Sequence, residues 1–329
     1  HIKADLPASI VVFFVALPLC LGIALASGAA PITGIIAGIV GGIVVGSISG
    51  SKIGVSGPAA GLAAIVYLAI VDLGMSDFLM AVVLAGVFQL LLGILRAGTI
   101  GYYFPSSVIK GMLTGIGIII FTKQIPYFIG HMNAKTIGFN MEFLKSLEKF
   151  ELSSVIIGTI GLSILLIWSS VLSKKGRIFQ IIQGPIVAVA VGVVYYILTK
   201  GGAYEIAASN IVDVPIFQSF EDFKTKMDYP NFSSILNPEV LVTAFTIGLV
   251  ASLETLLCVE ATDKLDPHKN VTPTNRELLA QGTGNIISGL IGGLPITQVI
   301  VRSSANINSG GRTKMSAIIH GIFLLVFVM

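Results

Sequence analysis

Long apolar runs alternate with short polar segments along almost the whole chain. A helix needs about 20 mostly apolar residues to cross the hydrocarbon core of a bilayer. Eleven runs approach or reach this length, and two of them are short. The runs cover residues 8–27, 31–49, 57–73, 77–97, 105–122, 153–172, 178–198, 237–258, 278–292, 296–309 and 313–329. The pattern predicts an all-α polytopic membrane protein with eleven segments in the membrane.

Charged residues are scarce, because 20 Lys and Arg and 17 Asp and Glu make up only 11% of the 329 residues. Soluble domains carry about a quarter charged residues. The composition therefore excludes a water-soluble globular enzyme, a disordered chain, collagen and a coiled coil. Two cysteines are too few for a disulfide framework or a Cys-rich zinc site. With a net charge of +3 and no basic cluster longer than a few residues, the expected partner is the lipid bilayer and not nucleic acid.

Loop charges predict the orientation, because cytoplasmic loops of membrane proteins carry an excess of Lys and Arg. With a cytoplasmic N-terminus, the cytoplasmic side holds eleven basic and five acidic residues. The opposite side then holds seven basic and eleven acidic residues. The clearest single signal is the tight basic loop at residues 173–177. Two longer loops, at about 123–152 and 199–236, fall on the outer side.

The two most informative segments are the third and the tenth. Each opens with Gly, Pro and β-branched residues, at 54–58 and 292–299, and then continues with small and polar residues. This pattern predicts a half-strand that leads into a half-helix beginning deep in the membrane, with Pro58 in the first turn. Irregular backbone at that depth is tolerated where it lines a cavity, and a helix N-terminus carries a partial positive charge. Two facing N-termini would form an anion site, as in transporters, and a pair of kinked packing helices is the alternative.

Three ionisable residues lie at membrane depth: Lys110, Glu254 and Arg302. Such residues usually mark functional sites. Lys110 is close enough to a segment end to snorkel to the cytoplasmic surface. Glu254, with the hydroxyl neighbours Ser252 and Thr255, suits a sodium or proton site. The alternative is a structural ion pair between Glu254 and Arg302, and the two interpretations are compatible.

Small residues dominate the second segment, where Gly34, Gly38, Gly42 and Gly46 recur every four residues. Such a stripe predicts close helix packing. Cys20 and Cys258 are interpreted as small apolar core residues. The chain shows no Ser-His-Asp set, no nucleotide-binding loop, no zinc signature and no paired carboxylates, which argues against a membrane-embedded enzyme and against a bound cofactor.

Several motifs together resemble the sulfate permease (SulP) family of anion transporters, which includes the mammalian anion exchangers and prestin. The motifs are the first segment from Val15 to Gly28, Val55-Ser56-Gly57-Pro58-Ala59-Ala60, Phe104-Pro105-Ser106-Ser107-Val108-Ile109-Lys110-Gly111, Asn275-Arg276-Glu277-Leu278-Leu279-Ala280-Gln281-Gly282-Thr283-Gly284-Asn285, Gly292-Gly293-Leu294-Pro295 and Gly310-Gly311-Arg312-Thr313. They extend from the first segment to the end of the chain.

The resemblance implies a fold of seven plus seven segments in two inverted repeats. Residues 1–200 would form the first repeat, with core segments 1–4 and gate segments 5–7, and residues 201–236 an extracytoplasmic loop. Residues 237–329 would form core segments 8–11 of the second repeat, the last of them incomplete. The remaining gate segments and the cytoplasmic STAS domain of the family are expected to be absent, and a homodimer is expected.

The resemblance also assigns site residues by matching position. The anion would lie between two backbone segments, with two residues of the first segment facing it. These residues are Ala59, Ala60, Gly61, Ile300, Val301 and Arg302 on the backbone segments, and Leu19 and Ile23 on the first segment. The coupling cation would lie at Glu254, with Ser252, Thr255 and Cys258 nearby. Cys258 stands where a hydroxyl ligand is expected, and Ile300 offers no side-chain oxygen.

The leading functional hypothesis is secondary active transport of sulfate or bicarbonate across the cytoplasmic membrane, coupled to sodium or protons. An elevator-like movement of the core against the gate would carry the anion. The alternatives are a passive anion channel or prestin-like motor, and a proton-coupled nucleobase permease of the same architecture. A nucleobase permease would usually have carboxylates on both the eighth and the tenth segments, and Arg302 on the tenth favours an anion.

Overall fold

The computed structural model describes residues 2–99, 106–130, 151–172, 175, 179, 184–211 and 227–329. The described residues form eleven helices, two short strands and isolated 3-10 turns, which include Ala208–Asn210 and Phe232–Ser234. The helices are α1 (Ile2–Ala26), α2 (Pro31–Ile48), α3 (Ala60–Leu73), α4 (Met75–Ile94), α5 (Ser106–Phe128), α6 (Leu152–Ser170), α7 (Gly184–Thr199), α8 (Pro238–Leu265), α9 (Thr274–Leu290), α10 (Ile300–Asn308) and α11 (Met315–Val328). The strands are β1 (Ser56–Pro58) and β2 (Ile296–Gln298). This architecture confirms the predicted all-α membrane fold.

The apolar runs and the helices coincide along the described chain, with differences at the ends. Among the described residues, four helices are long and apolar enough to cross a membrane: α1, α2, α4 and α8. α8 extends to Leu265, beyond the predicted end at 258. The prediction followed the apolar run, and the last turns of the helix carry charged residues that lie outside that run. Its start is set by Asn237, whose side chain accepts the N–H of Glu239, and by Pro238 in the first turn.

The chain divides into two compact units, one within residues 1–112 and 214–329 and one within 113–213. In the second unit, α6 packs against α7. Trp168 of α6 donates its indole N–H to the Phe179 carbonyl at 3.1 Å, and Ser153 donates to the Glu205 carbonyl at 3.2 Å. Most of the basic loop at 173–177, the Phe104-Pro105 part of the fifth-segment motif and the Lys110 side chain lie outside the described residues.

In the first unit, β1 and β2 form an antiparallel pair at the centre of the packed helices. Ser56 pairs with Gln298, Gly57 with Thr297 and Pro58 with Ile296, and all six residues are buried. Both strands are three residues long, and after one further residue each leads into a helix, α3 after β1 and α10 after β2. The predicted half-strands and half-helices are therefore present, and the strands pair with each other.

The glycine stripe of α2 packs against two neighbouring helices. A Cβ on Gly34 would collide with the Cys20 carbonyl of α1. A Cβ on Gly42 would lie 2.7 Å from the Cα of Gly321 in α11. No side chain fits at either position, which confirms that the stripe allows close helix packing.

α2 changes its winding next to the strands, where Gly41–Val45 form one π-helical turn. A Cβ on Gly41 would lie 2.5 Å from the Ser56 carbonyl oxygen, so the backbone of β1 lies directly on α2 at this point. Such π turns are rare and occur often at functional sites. Here the wider turn coincides with the contact between α2 and β1.

One face of α9 holds both strands through buried polar side chains. Asn285 donates to the Ile296 carbonyl at 3.0 Å and accepts the Ile296 N–H at 2.6 Å. Gln281 donates to the Ser56 hydroxyl at 2.7 Å, and the Ser288 hydroxyl donates to the Leu294 carbonyl at 2.7 Å. Buried backbone groups need such partners, so the polar residues of the motif at 275–285 stabilise the strand pair.

Candidate functional site

The strand pair brings the N-termini of α3 and α10 to the same part of the first unit. The ladder continues one residue beyond each strand, because the Ala59 N–H donates to the Pro295 carbonyl at 3.1 Å and the Val299 N–H to the Val55 carbonyl at 2.9 Å. The resemblance assigned the Ala59 N–H to the anion, but in the structure this N–H donates to the Pro295 carbonyl within the ladder. The ladder stops where the two helices begin.

The first N–H groups of both helices have no carbonyl partner, as is general for helix starts. Within the described residues, the N–H groups of Ala60 on α3 and of Val301 and Arg302 on α10 donate to no protein group. Ala60 is half-buried and Val301 is exposed. These groups carry the partial positive charge of two helix ends and can bind an anion.

The carboxylate of Glu254 lies against the start of α3. Its Oε1 accepts the N–H of Gly61 at 3.2 Å, and its Oε2 is buried without a hydrogen-bond partner among the described residues. A Cβ on Gly61 would lie 2.8–2.9 Å from the carboxyl atoms of Glu254. The positive end of α3 thus stabilises the negative side chain.

The three other predicted cation-site residues differ in where their side chains point. The Ser252 hydroxyl donates to the Gly248 carbonyl of its own helix at 2.6 Å. The Thr255 hydroxyl accepts the Gln298 N–H of β2 at 3.4 Å. Cys258 lies near Glu254, and its sulfur faces the N–H of Ile300. Thr255 and Cys258 therefore face the β2–α10 segment, whereas Ser252 is bonded within α8.

Arg302 is fully buried, and its guanidinium does not reach Glu254. Within the described residues the two side chains form no ion pair, so the structural pairing considered from the sequence is not formed. Arg302 Nη2 donates instead to Cys20 Sγ at 3.2 Å, and a Cβ on Gly57 would collide with the guanidinium. In the part of the chain that the structure describes, Arg302 Nε and Nη1 have no partner.

Leu19 and Ile23 of α1 flank Cys20 in the sequence, and Cys20 is the residue that contacts Arg302. Leu19 is half-buried and Ile23 is buried. α1 packs against α3, β1 and α10, so both residues lie in the unit that holds the two helix ends. Their role as anion-facing residues stays a prediction.

Two features of the site were not predicted from the sequence. One is the contact between Cys20 and Arg302, because Cys20 was interpreted as a core residue only. The other is a pair of buried oxygens on β2, Thr297 Oγ1 and Gln298 Oε1, which lack hydrogen-bond partners among the described residues. Alternation along a strand could have placed these side chains on opposite faces, but the sequence does not specify what they meet.

Comparison with known proteins gives a consistent result. The family model described as the sulfate permease family matches residues 2–329. The putative sulfate transporter YvdB of Bacillus subtilis is 31% identical over 99% of this chain and 60% of its own length. The bicarbonate transporter BicA of Picosynechococcus is 26% identical over 100% of this chain and 57% of its own length. The chain thus spans about 60% of the length of these relatives.

Solved structures share the fold. The transmembrane domain of a cyanobacterial bicarbonate transporter, BicA, superposes with a TM-score of 0.82 at 25% identity, covering 100% of this chain and 82% of that one. The murine Slc26a9 anion transporter in the inward-facing state gives a TM-score of 0.79 at 16% identity, covering 100% of this chain and 56% of that one. The second likeness concerns the fold alone. Both support the seven-plus-seven inverted-repeat class.

Proposed function

The chain belongs to the sulfate permease family, and on that basis we propose that it carries out secondary active transport of a small inorganic anion across the cell membrane. Sulfate and bicarbonate are the candidate substrates, since the relatives are named for these two anions. The N-terminus would be cytoplasmic, as the loop charges predict. The protein would act as a homodimer.

The observation that carries this proposal is the pair of helix ends beside the β1–β2 ladder. The N–H groups of Ala60, Val301 and Arg302 have no partner among the described residues, and they belong to helices that begin one residue after the buried strands. Backbone donors fixed in place bind an oxyanion without reorganising, and the partial charges of both helices add to them. The charge of Arg302 adds a further positive field, and Leu19 and Ile23 would line the apolar side.

Glu254 would couple the anion to a cation. Its carboxylate lies on the same helix end that the anion would use, and its Oε2 has no hydrogen-bond partner within the described chain. A sodium ion or a proton on this carboxylate would remove a negative charge from the site and so favour anion binding. Thr255 and Cys258 lie beside it. An elevator-like movement of the core against the gate would then carry both species.

Uptake into proteoliposomes by the full-length protein tests the proposal. Radiolabelled sulfate and bicarbonate would be supplied under an imposed sodium gradient, an imposed proton gradient or neither. Accumulation above the outside concentration under one of the gradients is expected. Flux that only equilibrates the anion would favour the passive channel, and no flux of either anion would overturn the proposal.

A further inference from the structure

Arg302 is the largest fully buried side chain of the described structure, and within those residues it has no acidic partner at ion-pair distance. A buried cation normally needs a paired anion or a full set of hydrogen bonds, because its desolvation costs on the order of several kcal/mol. Among the described residues, Nη2 alone of its side-chain nitrogens has a hydrogen bond. The acceptor is the sulfur of Cys20, which is itself fully buried.

The space around the guanidinium is created by two glycines. A Cβ on Gly57 of β1 would overlap Arg302 Nη1. A Cβ on Gly38 of α2 would lie 2.6 Å from Cys20 Sγ and 3.8 Å from Arg302 Nη1. The guanidinium and the thiol therefore share one niche between α1, α2 and β1, which we call the Arg302 niche and define by Cys20, Gly38, Gly57 and Arg302.

We propose that Cys20 is a positioning residue that holds the Arg302 charge in this niche and thereby sets the affinity of the anion site. The proposal rests on the proposed transport function. The backbone N–H of Arg302 is one of the unpaired groups at the start of α10, whereas its side chain points to Cys20. The charge therefore acts on the anion through the protein and not by a hydrogen bond to it.

The physical reason is the low dielectric of the niche. A charge surrounded by buried apolar groups produces a stronger field at a nearby site than the same charge in water. Without the thiol, the guanidinium loses its one acceptor and either shifts or admits water to the niche. Both changes weaken the field at the α10 end, so the anion binds less tightly while the rate of the transport step changes little.

Uptake kinetics test the role of Cys20. Cys20→Ala should raise the KM for the anion about three- to tenfold with little change in maximal rate, the range expected for one hydrogen bond of ordinary strength. Cys20→Ser keeps an acceptor and should recover most of the wild-type KM. Ala16→Gly is the matched control, since Ala16 lies one turn earlier on α1 and is equally buried. An unchanged KM in Cys20→Ala overturns the proposal.

A double-mutant cycle with Arg302→Gln separates positioning from packing. In the Arg302→Gln background, Cys20→Ala should have no further effect on KM, because no guanidinium remains to be held. An equally large effect in both backgrounds would show that the sulfur only fills space, and would overturn the proposal.

The same cycle measured by thermal unfolding in detergent does not depend on transport. If Cys20 and Arg302 are coupled, the Tm losses of the two single variants should add up to more than the Tm loss of the double variant. If the wild-type protein carries neither anion, the transport function fails, while this coupling still decides whether the thiol holds the guanidinium. If thermal unfolding shows no coupling between Cys20 and Arg302, the proposal that the thiol holds the guanidinium is refuted, even if transport is observed.

Discussion

The carboxylate of Glu254 accepts the backbone N–H of Gly61 at 3.2 Å, so a protein side chain already covers part of the α3 helix end. A negatively charged Glu254 competes with an anion for this end, because both are attracted by the same partial charge. A cation bound to Glu254 would neutralise its negative charge, so the substrate anion could bind at the α3 helix end without this competition. If Glu254 binds the coupling cation, this contact would link cation binding to anion binding.

Replacing Glu254 tests this link. Glu254→Gln keeps the size and removes the negative charge, so anion uptake should lose its dependence on the sodium or proton gradient. Downhill exchange of labelled anion should persist, since the helix ends remain. Glu239→Gln, on the exposed first turn of the same helix, is the control. Unchanged gradient-driven accumulation in Glu254→Gln would exclude the coupling role.

A methyl group on Gly61 would change the same contact from the other side. Its Cβ would lie 2.8–2.9 Å from the carboxyl atoms of Glu254, which must then move away from α3. Gly61→Ala removes a charge-assisted hydrogen bond that stabilises the cation-free carboxylate, so the cation concentration for half-maximal uptake should fall about tenfold. The measurement is the cation concentration for half-maximal uptake. Gly161→Ala on α6, where a Cβ meets no atom within 4 Å, should leave this value as in wild type.

Asn285 should be required for stability of the strand pair. Its side chain satisfies both backbone groups of Ile296 and donates to Gln89 at 2.6 Å. Asn285→Leu leaves these groups buried without partners and should lower the free energy of unfolding by about 2–4 kcal/mol. Thermal unfolding in detergent measures the loss. Asn308→Leu, at an exposed position, should unfold near the wild-type temperature, and equal behaviour of both variants would contradict this role of Asn285.

The glycine stripe of α2 allows a graded test within one helix. A Cβ on Gly42 would lie 2.7 Å from the backbone of α11, whereas a Cβ on Gly46 would lie 3.4 Å from a side-chain atom of Ile318. Gly42→Ala must push two backbones apart and should lower the free energy of unfolding, measured in detergent, by about 1–3 kcal/mol. Gly46→Ala should cost much less. Equal losses for the two variants would show that the packing is loose.

Much of the fold could be predicted from local rules. Apolar run length identifies the helices, and the Gly and Pro residues before Ala59 and Val299 indicate that two helices begin inside the membrane. The four-residue spacing of Gly34 to Gly46 predicts close packing. These features depend on residue type and spacing alone.

The pairing of groups within the site could not be predicted in the same way. The antiparallel register of β1 with β2 joins residues that are far apart in the chain, and two three-residue strands carry too little pattern to specify it. Arg302 has a long, flexible side chain, and the sequence does not show that the room left by Gly38 and Gly57 lets it contact Cys20. The assignment of the anion and cation residues stays a prediction.

The ladder between Ser56–Pro58 and Ile296–Gln298 has a mechanical consequence for any transporter built on it. Hydrogen bonds between β1 and β2 connect the N-terminal ends of α3 and α10. A displacement of one helix must therefore displace the other. The backbone N–H groups at the two helix ends would therefore move together as one rigid unit. An ion arriving from inside or outside would meet the same set of donors, and only its exit route would differ.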